Sequence, residues 1–255
     1  MNLRNHHLVA LAVLVFGLAM GSARAGTIYD NTATAVTNGL GQPVVYPMAN
    51  DVALGEEIFP ANLAAFPILT NFSFSYYSPT YNSSSGNGWN GQVQADVQFF
   101  LNTGAPTNGY ATPASSPFYE TGWFDLANPL FTFPGINVVT EVFGFSDIYG
   151  PNPQIALPTN FTLPSDFTVM LTFDGLTNGN IVSLPLFQPP AVGTNYGDYW
   201  VRDNSGNWEL ATNAAGFNGL GLTMTASAVP EPSTSGLAAI GVGIALASRL
   251  VRRRK

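Results

Sequence analysis

Between Gln92 and Asn102 the side chains Val93, Ala95, Val97, Phe99 and Leu101 alternate with Gln92, Gln94, Asp96 and Gln98. A period of two is the mark of a half-buried antiparallel strand, and it is incompatible with a helix of 3.6 residues per turn. The same pattern recurs at Phe167, Val169, Leu171 and Phe173, separated by Thr168, Met170 and Thr172. From Ile68 to Tyr77 it places Ile68, Phe72, Phe74 and Tyr76 on one face, with Thr70 interrupting the apolar side. Further strands are predicted at Ile136–Phe145, Ile181–Phe187, Asp198–Val201, Trp208–Leu210 and Gly219–Ala226. Outside the two ends of the chain no helical period emerges.

The runs are separated by Gly- and Asn-rich pieces: Ser83–Gly88, Asn102–Gly104, Asp174-Gly175, Thr177–Asn180 and Asp203–Asn207. Gly and Asn tolerate positive φ, so these are turns. Short strands at this spacing predict an all-β fold, a single jelly-roll-like β-sandwich in which two sheets bury alternate faces. Its limits are read as residues 26–226, preceded by a segment at 1–25 and followed by one at 227–255.

Missing residue types narrow the chemistry. Cys is absent from the chain, and both His and all Lys fall outside the stretch from Gly26 to Val229. That stretch therefore has no Ser-His-Asp or Cys-His device, no Schiff-base lysine and no His- or Cys-liganded zinc. Two carboxylates suffice for glycoside hydrolysis, and oxygen ligands suffice for calcium, so both chemistries survive. The same stretch carries 14 carboxylates against one base, Arg202, a formal charge of −13. Nucleic acid is excluded as a partner by that charge. Arg202 is expected to pair with a neighbouring carboxylate.

Candidate sites are few. Asp203, Ser205, Asn207 and Glu209 alternate oxygen-bearing side chains, but an EF-type loop needs Gly sixth and Glu twelfth, where Trp208 and Ala214 stand. A hairpin turn with Gly206 at positive φ explains them; no cofactor is expected, and calcium held by several loops of this acidic body stays open as an alternative that the sequence does not locate. Glu56-Glu57 reads as a solvated loop, because neighbouring strand residues face opposite ways and cannot share a cleft. Trp89, Trp123, Trp200 and Trp208 are the candidate sugar-stacking residues. Core packing competes with stacking at each: Trp200 lies in an apolar run, whereas Trp89 lies in a Gly/Asn loop.

Both ends are targeting segments. Arg4 precedes an apolar core, Leu8–Met20, and Ala23-Arg24-Ala25 supplies the small residues that signal peptidase requires, so cleavage is expected after Ala25. At the other end Val229-Pro230-Glu231-Pro232 is held extended by its prolines. An apolar stretch from Gly236 to Ala247 follows, then Arg252-Arg253-Arg254-Lys255. Twelve apolar residues are marginal against the roughly 20 that a membrane helix needs. The basic end would stay on the cytoplasmic side, leaving the body outside.

This tail resembles the PEP-CTERM sorting signal of Gram-negative bacteria, in which a Pro-Glu-Pro element precedes a short hydrophobic helix and an Arg-rich end. The resemblance implies export, recognition and removal of the tail by an exosortase, a transpeptidase-like membrane enzyme, and association with extracellular polysaccharide. It also implies membrane attachment through the tail until it is processed. An ordinary C-terminal anchor is the alternative. The body is similar to the β-rich bodies of such proteins in Phe118–Phe124, Phe167–Gly175 and Tyr196–Asp203, which lead to no common chemistry.

Three functions compete: a non-enzymatic structural or adhesive protein of the envelope or matrix, a carbohydrate-binding module, and a carboxylate-only glycoside hydrolase. The first needs no cofactor, the second needs an exposed aromatic platform, and the third needs two acids converging in a cleft.

Overall fold

Sixteen strands account for the regular structure among the described residues, and no helix occurs there. The structure, a computed structural model, describes residues 25–39, 44–50, 52–76, 78, 89, 91–127, 139–144, 162–177, 179–211 and 219–228. Ala23, the apolar core at 8–20, the Ser83–Gly88 turn and the tail residues Val229, Pro230, Glu231, Pro232, Arg252, Arg253 and Arg254 lie outside them.

The first eight strands are β1 (Ala25–Asp30), β2 (Val45–Pro47), β3 (Ala53–Phe59), β4 (Ile68–Tyr76), β5 (Gln94–Phe100), β6 (Pro106–Thr107), β7 (Tyr110–Ala111) and β8 (Tyr119–Glu120). The remaining eight are β9 (Phe124–Asp125), β10 (Val139–Gly144), β11 (Phe167–Asp174), β12 (Ser183–Pro185), β13 (Thr194–Asn195), β14 (Tyr199–Arg202), β15 (Trp208–Ala211) and β16 (Leu222–Ser227). A four-stranded sheet runs β1-β16-β4-β10, and an eight-stranded sheet runs β15-β14-β3-β11-β5-β8, with β13 on β3 and β9 on β5. Two small ribbons, β2-β12 and β6-β7, complete the pairing. All neighbouring strands are antiparallel.

Alternation positions the core. Val93, Ala95, Val97 and Phe99 are buried, as are Val169, Leu171 and Phe173 opposite them on β11. Aromatic rings of the smaller sheet pack on this face: Phe72 meets Phe99 edge-on at 5.4 Å between centroids, and Phe74 meets Phe173 at 6.2 Å. Each such ring, withdrawn from water, contributes roughly 1.5–3 kcal/mol, and the tilted geometry adds to that. Ala25 to Ser227 forms one compact unit.

Three strand expectations are modified. The first concerns the register of β4. Its pairing with β16 slips between Thr225 and Ala226, so that Asn71 faces Thr225 while Leu69 faces Ala226. Thr70 is the extra residue of this bulge, its Oγ1 donating to Thr225 O at 3.0 Å. Leu69 consequently turns inward in place of Ile68. The second is the end of the β5 pattern: Leu101 is exposed and lies past the strand. The third is the half-buried reading of β5, because its polar face is also covered. Asp96 and Phe100 on that face are buried.

Trp208 and Arg202 lie against Phe100, and Thr121, just past β8, closes on Asp96. The chain between β5 and β8 holds the first two: Trp208 Nε1 donates to Ala114 O at 3.2 Å and Arg202 Nη2 donates to Ser115 O at 3.0 Å. Arg202 also lies 5.3 Å from the ring centroids of both Phe100 and Trp208. Among the described residues it uses carbonyls and rings rather than the expected carboxylate.

Candidate functional site: the acidic strand β3 and the outer face of the larger sheet

The largest correction concerns Glu56 and Glu57. They lie on β3, inside the larger sheet between β14 and β11, and not in a solvated loop. Apolar neighbours Leu54 and Ile58 carry the strand into the core, and cross-strand partners from distant parts of the chain receive the two carboxyls.

Glu56 faces inward. Tyr29 Oη donates to its Oε1 at 3.3 Å, Asn195 Nδ2 donates to the same oxygen, and Leu220 N donates to Oε2 at 2.7 Å. Asn31 Nδ2 in turn donates to Leu220 O at 3.0 Å. Gly219, at φ +133, sits against this cluster, and a Cβ there would collide with Asn31, Asn195 and Glu56. Burial raises the Glu56 carboxyl to about 7, and the three donated hydrogen bonds oppose that rise. The same burial, reinforced by the Glu56 charge, raises the Tyr29 hydroxyl far above its ordinary range. Every oxygen of Glu56 is satisfied and enclosed. The cluster therefore ties β1 and the approach to β16, from one sheet, to β3 and β13 of the other.

Glu57 faces outward and is 4% exposed. Its Oε2 finds no hydrogen-bond partner, and neither does Trp200 Nε1 on the neighbouring strand. Thr168, opposite Glu57 on β11, donates from Oγ1 to Asn102 Oδ1 at 2.8 Å, while Asn102 Nδ2 reaches Asp166 Oδ2 at 3.4 Å. Burial, then the Asp166 charge, push the Glu57 carboxyl up to about 7 against a hydrogen bond from Asn102. Above it the β6-β7 ribbon brings Tyr110 onto Tyr196, centroids 4.4 Å apart, and Tyr196 onto Phe59 at 5.0 Å. Glu57 and Asp166 thus meet at one amide, but the free oxygen of Glu57 is enclosed.

A second acidic group lies at the β5 edge. Asp96 accepts from Thr121 Oγ1 at 3.1 Å and from Gln98 Nε2 at 2.8 Å. Burial and the Glu120 charge raise its carboxyl to about 6, opposed by those hydrogen bonds. Gln98 is opposite Glu120, and Gln94 Nε2 donates to Asp125 Oδ1 at 2.8 Å. Between β8 and β9 the edge breaks at Thr121–Trp123. The Thr121 N–H donates to Val97 O at 2.9 Å and its hydroxyl accepts from Val97 N at 2.9 Å, so this residue is pinned. Trp123, two residues on, is 44% exposed.

The four tryptophans separate accordingly. Trp89 is 1% exposed, stacked on Tyr76 at 5.8 Å and 14°, with Nε1 donating to Ile181 O at 3.1 Å. It is an interior residue, which corrects its reading as a sugar platform. Trp200 is interior as well, and Trp208 is half-buried against Phe100 and Arg202. Only Trp123 among them presents its ring to solvent. Asp203 is occupied by its own turn: Oδ1 accepts from Ser205 N and Asn207 N, and Gly206 takes φ +83. Those donors hold the exposed Asp203 carboxyl below its usual range. Among the described residues no group of three or more acids is placed to hold a metal ion.

Sequence reasoning missed three buried acids: Glu56, Glu57 and Asp96. The usable signal was the flanking pairs Ala53-Leu54 and Ile58-Phe59, which bracket β3 with strand-forming residues.

At the C-terminus, residues 228–255 match the PEP-CTERM protein-sorting motif. The chain carries that sorting signal. It is the signal of exported proteins directed to the cell surface of Gram-negative bacteria through an exosortase-type enzyme, and here it follows a strand-rich body. No curated protein and no solved structure matches the chain.

Proposed function

We propose that this is a non-enzymatic structural or adhesive protein of the cell envelope or extracellular matrix. In this reading signal peptidase removes residues 1–25, and the body is a single jelly-roll-like sandwich that works without a cofactor. The PEP-CTERM signal joined directly to the body supports it. The acids with raised carboxyls agree, since each is occupied in packing or enclosed. A hydrolytic pair needs an acid that can reach a glycosidic oxygen, and Glu57, the best placed by its partner Asp166, is shielded. The test is localisation in the native host. The full chain is expected in the envelope or matrix fraction, whereas a chain truncated after Ala228 should move to the medium. Sugar release by the purified body, lost on mutating Glu57 and Asp166 together, would overturn the non-enzymatic assignment.

Trp123 supports a second reading, a carbohydrate-binding module. Its exposed ring stands beside an edge where Glu120 and Asp125 are exposed and Gln94 and Gln98 half-buried, and these amides and carboxylates complement sugar hydroxyls. The formal charge of −13 between Gly26 and Val229 favours a neutral polysaccharide over an acidic one.

A further inference from the structure

The sorting signal begins where the last strand ends. β16 closes at Ser227, and the matched motif starts at residue 228. Pro230 is the third residue after Ser227, a reach of at most about 10 Å even when fully extended. No linker separates the signal from the sheet.

β16 is also an interior strand. It pairs with β1 on one side, where Ser227 faces Ala25 and Ala226 faces Gly26, and with β4 on the other, where Ser227 faces Ile68. Its backbone groups are engaged on both sides, and Leu222, Met224 and Ala226 are buried in the core. An enzyme that takes its substrate as an extended strand cannot also pair with Thr225–Ser227 while the sheet is closed. Opening β16 would unpair two neighbours and expose the centre of the core. That amounts to unfolding the sheet rather than fraying an end.

The first strand has the same relation to its own processing point. Ala25, after which signal peptidase is expected to cut, is the first residue of β1 and is held opposite Ser227. Both segments to be removed therefore join the body at one end of one strand pair. The body can close with both still attached.

Resting on the sorting reading above, we propose that the exosortase-type enzyme acts on the folded body and reads the chain only from Ala228 onward. The residues upstream of Ala228 supply no recognition; they present the motif from a fixed point at the end of the sheet.

A cross-strand lock tests this. Asn71 and Thr225 are directly opposite on β4 and β16, on the face away from Phe72 and Met224. Opposed strand residues have Cα separations of about 4.5–5.5 Å, within the span of a disulfide. The natural chain has no Cys, so Asn71→Cys with Thr225→Cys creates the one possible bridge. The full chain would be expressed in its native host and the rate of tail removal followed by intact mass, oxidised and reduced. The oxidised form is expected to lose its tail at the wild-type rate within about twofold. Retention of Lys255 in the oxidised form, with removal in the reduced form, would overturn the proposal. An independent variant inserts Gly-Ser-Gly-Ser between Ser227 and Ala228, moving the whole motif away from the strand. Processing at the wild-type rate or faster is expected, and a tenfold loss would mean that β16 residues are read. If the wild-type chain itself keeps Lys255, the sorting reading fails and this inference falls with it.

Discussion

Glu56 and Glu57 are consecutive on β3, and the sheet sends their carboxyls into two different enclosed environments, one beneath each face. On the inner face Tyr29, Asn195 and the Leu220 N–H surround Glu56 with donors. On the outer face Glu57 has Asn102 and the repelling charge of Asp166. Burial lifts both carboxyls towards neutrality; at Glu57 the Asp166 charge adds to the rise, and donated hydrogen bonds oppose it at each.

That pair sets how stability responds to pH. Glu56 and Glu57 rise from 4.5 to about 7, and Asp96 from 3.8 to about 6. All three bind their protons more tightly in the folded chain than in the unfolded one. Their stabilising contribution is full below the unfolded values and is lost as pH rises through about 6 to 7. For fully buried Glu56 the loss is on the order of 3 kcal/mol. Thermal unfolding at constant ionic strength should give a higher Tm at pH 5 than at pH 8, by about 5 °C or more. Glu56→Gln should flatten the profile. A Tm that rises from pH 5 to pH 8 would contradict the burial of these acids.

Gly219 allows that buried cluster to close. Its φ of +133 lies where side chains are strained, and its missing Cβ leaves room for Asn31, Asn195 and Glu56. Gly219→Ala should destabilise by at least about 2 kcal/mol, with a lower denaturation midpoint. Gly39, whose surroundings are open, provides the control. Gly39→Ala should leave the midpoint nearly unchanged.

How far these features could be read from the sequence depends on the range of the interaction that creates them. β4, β5, β11 and β16 are written in local alternation, and the sorting tail in the covalent order of proline turn, apolar stretch and basic end. β3 is not. Gly55 and two glutamates look like a loop, and the enclosure of Glu56 depends on Tyr29, Asn195 and Leu220, which are 27, 139 and 164 residues away. Asp96 deceived for a related reason, because the alternation that correctly placed it on the outer face gave no sign that a later loop covers that face. Trp89 sits among glycines and asparagines, and only folding brings it onto Tyr76 and Ile181.

Val97 tests the inner face at the centre of the larger sheet. It is opposite Leu171, fully buried and part of the apolar core. Val97→Asp should cost several kcal/mol, on the order of 3 or more, since an unpaired carboxylate would be withdrawn from water. Urea denaturation read by tryptophan fluorescence measures this. An unchanged midpoint would mean that the face is not sealed.

Trp123 and Trp89 make the sharpest comparison, because the same substitution should have opposite consequences at the two sites. Trp89 stacks on Tyr76 and donates to Ile181 O, so Trp89→Ala should cost about 3–5 kcal/mol and lower Tm whatever the protein binds. Trp123 is 44% exposed on the broken edge between β8 and β9, where its removal takes little from the core. Trp123→Ala should shift Tm by no more than about 2 °C. If the edge beside it holds a neutral polysaccharide, that variant should also elute earlier from an affinity column of the polymer, by at least the difference expected from losing one stacked ring. Equal retention of wild type and Trp123→Ala would remove the carbohydrate-binding reading while leaving the structural one in place. Loss of retention in Trp89→Ala alone, in step with its lowered stability, would show only that the edge requires an intact fold.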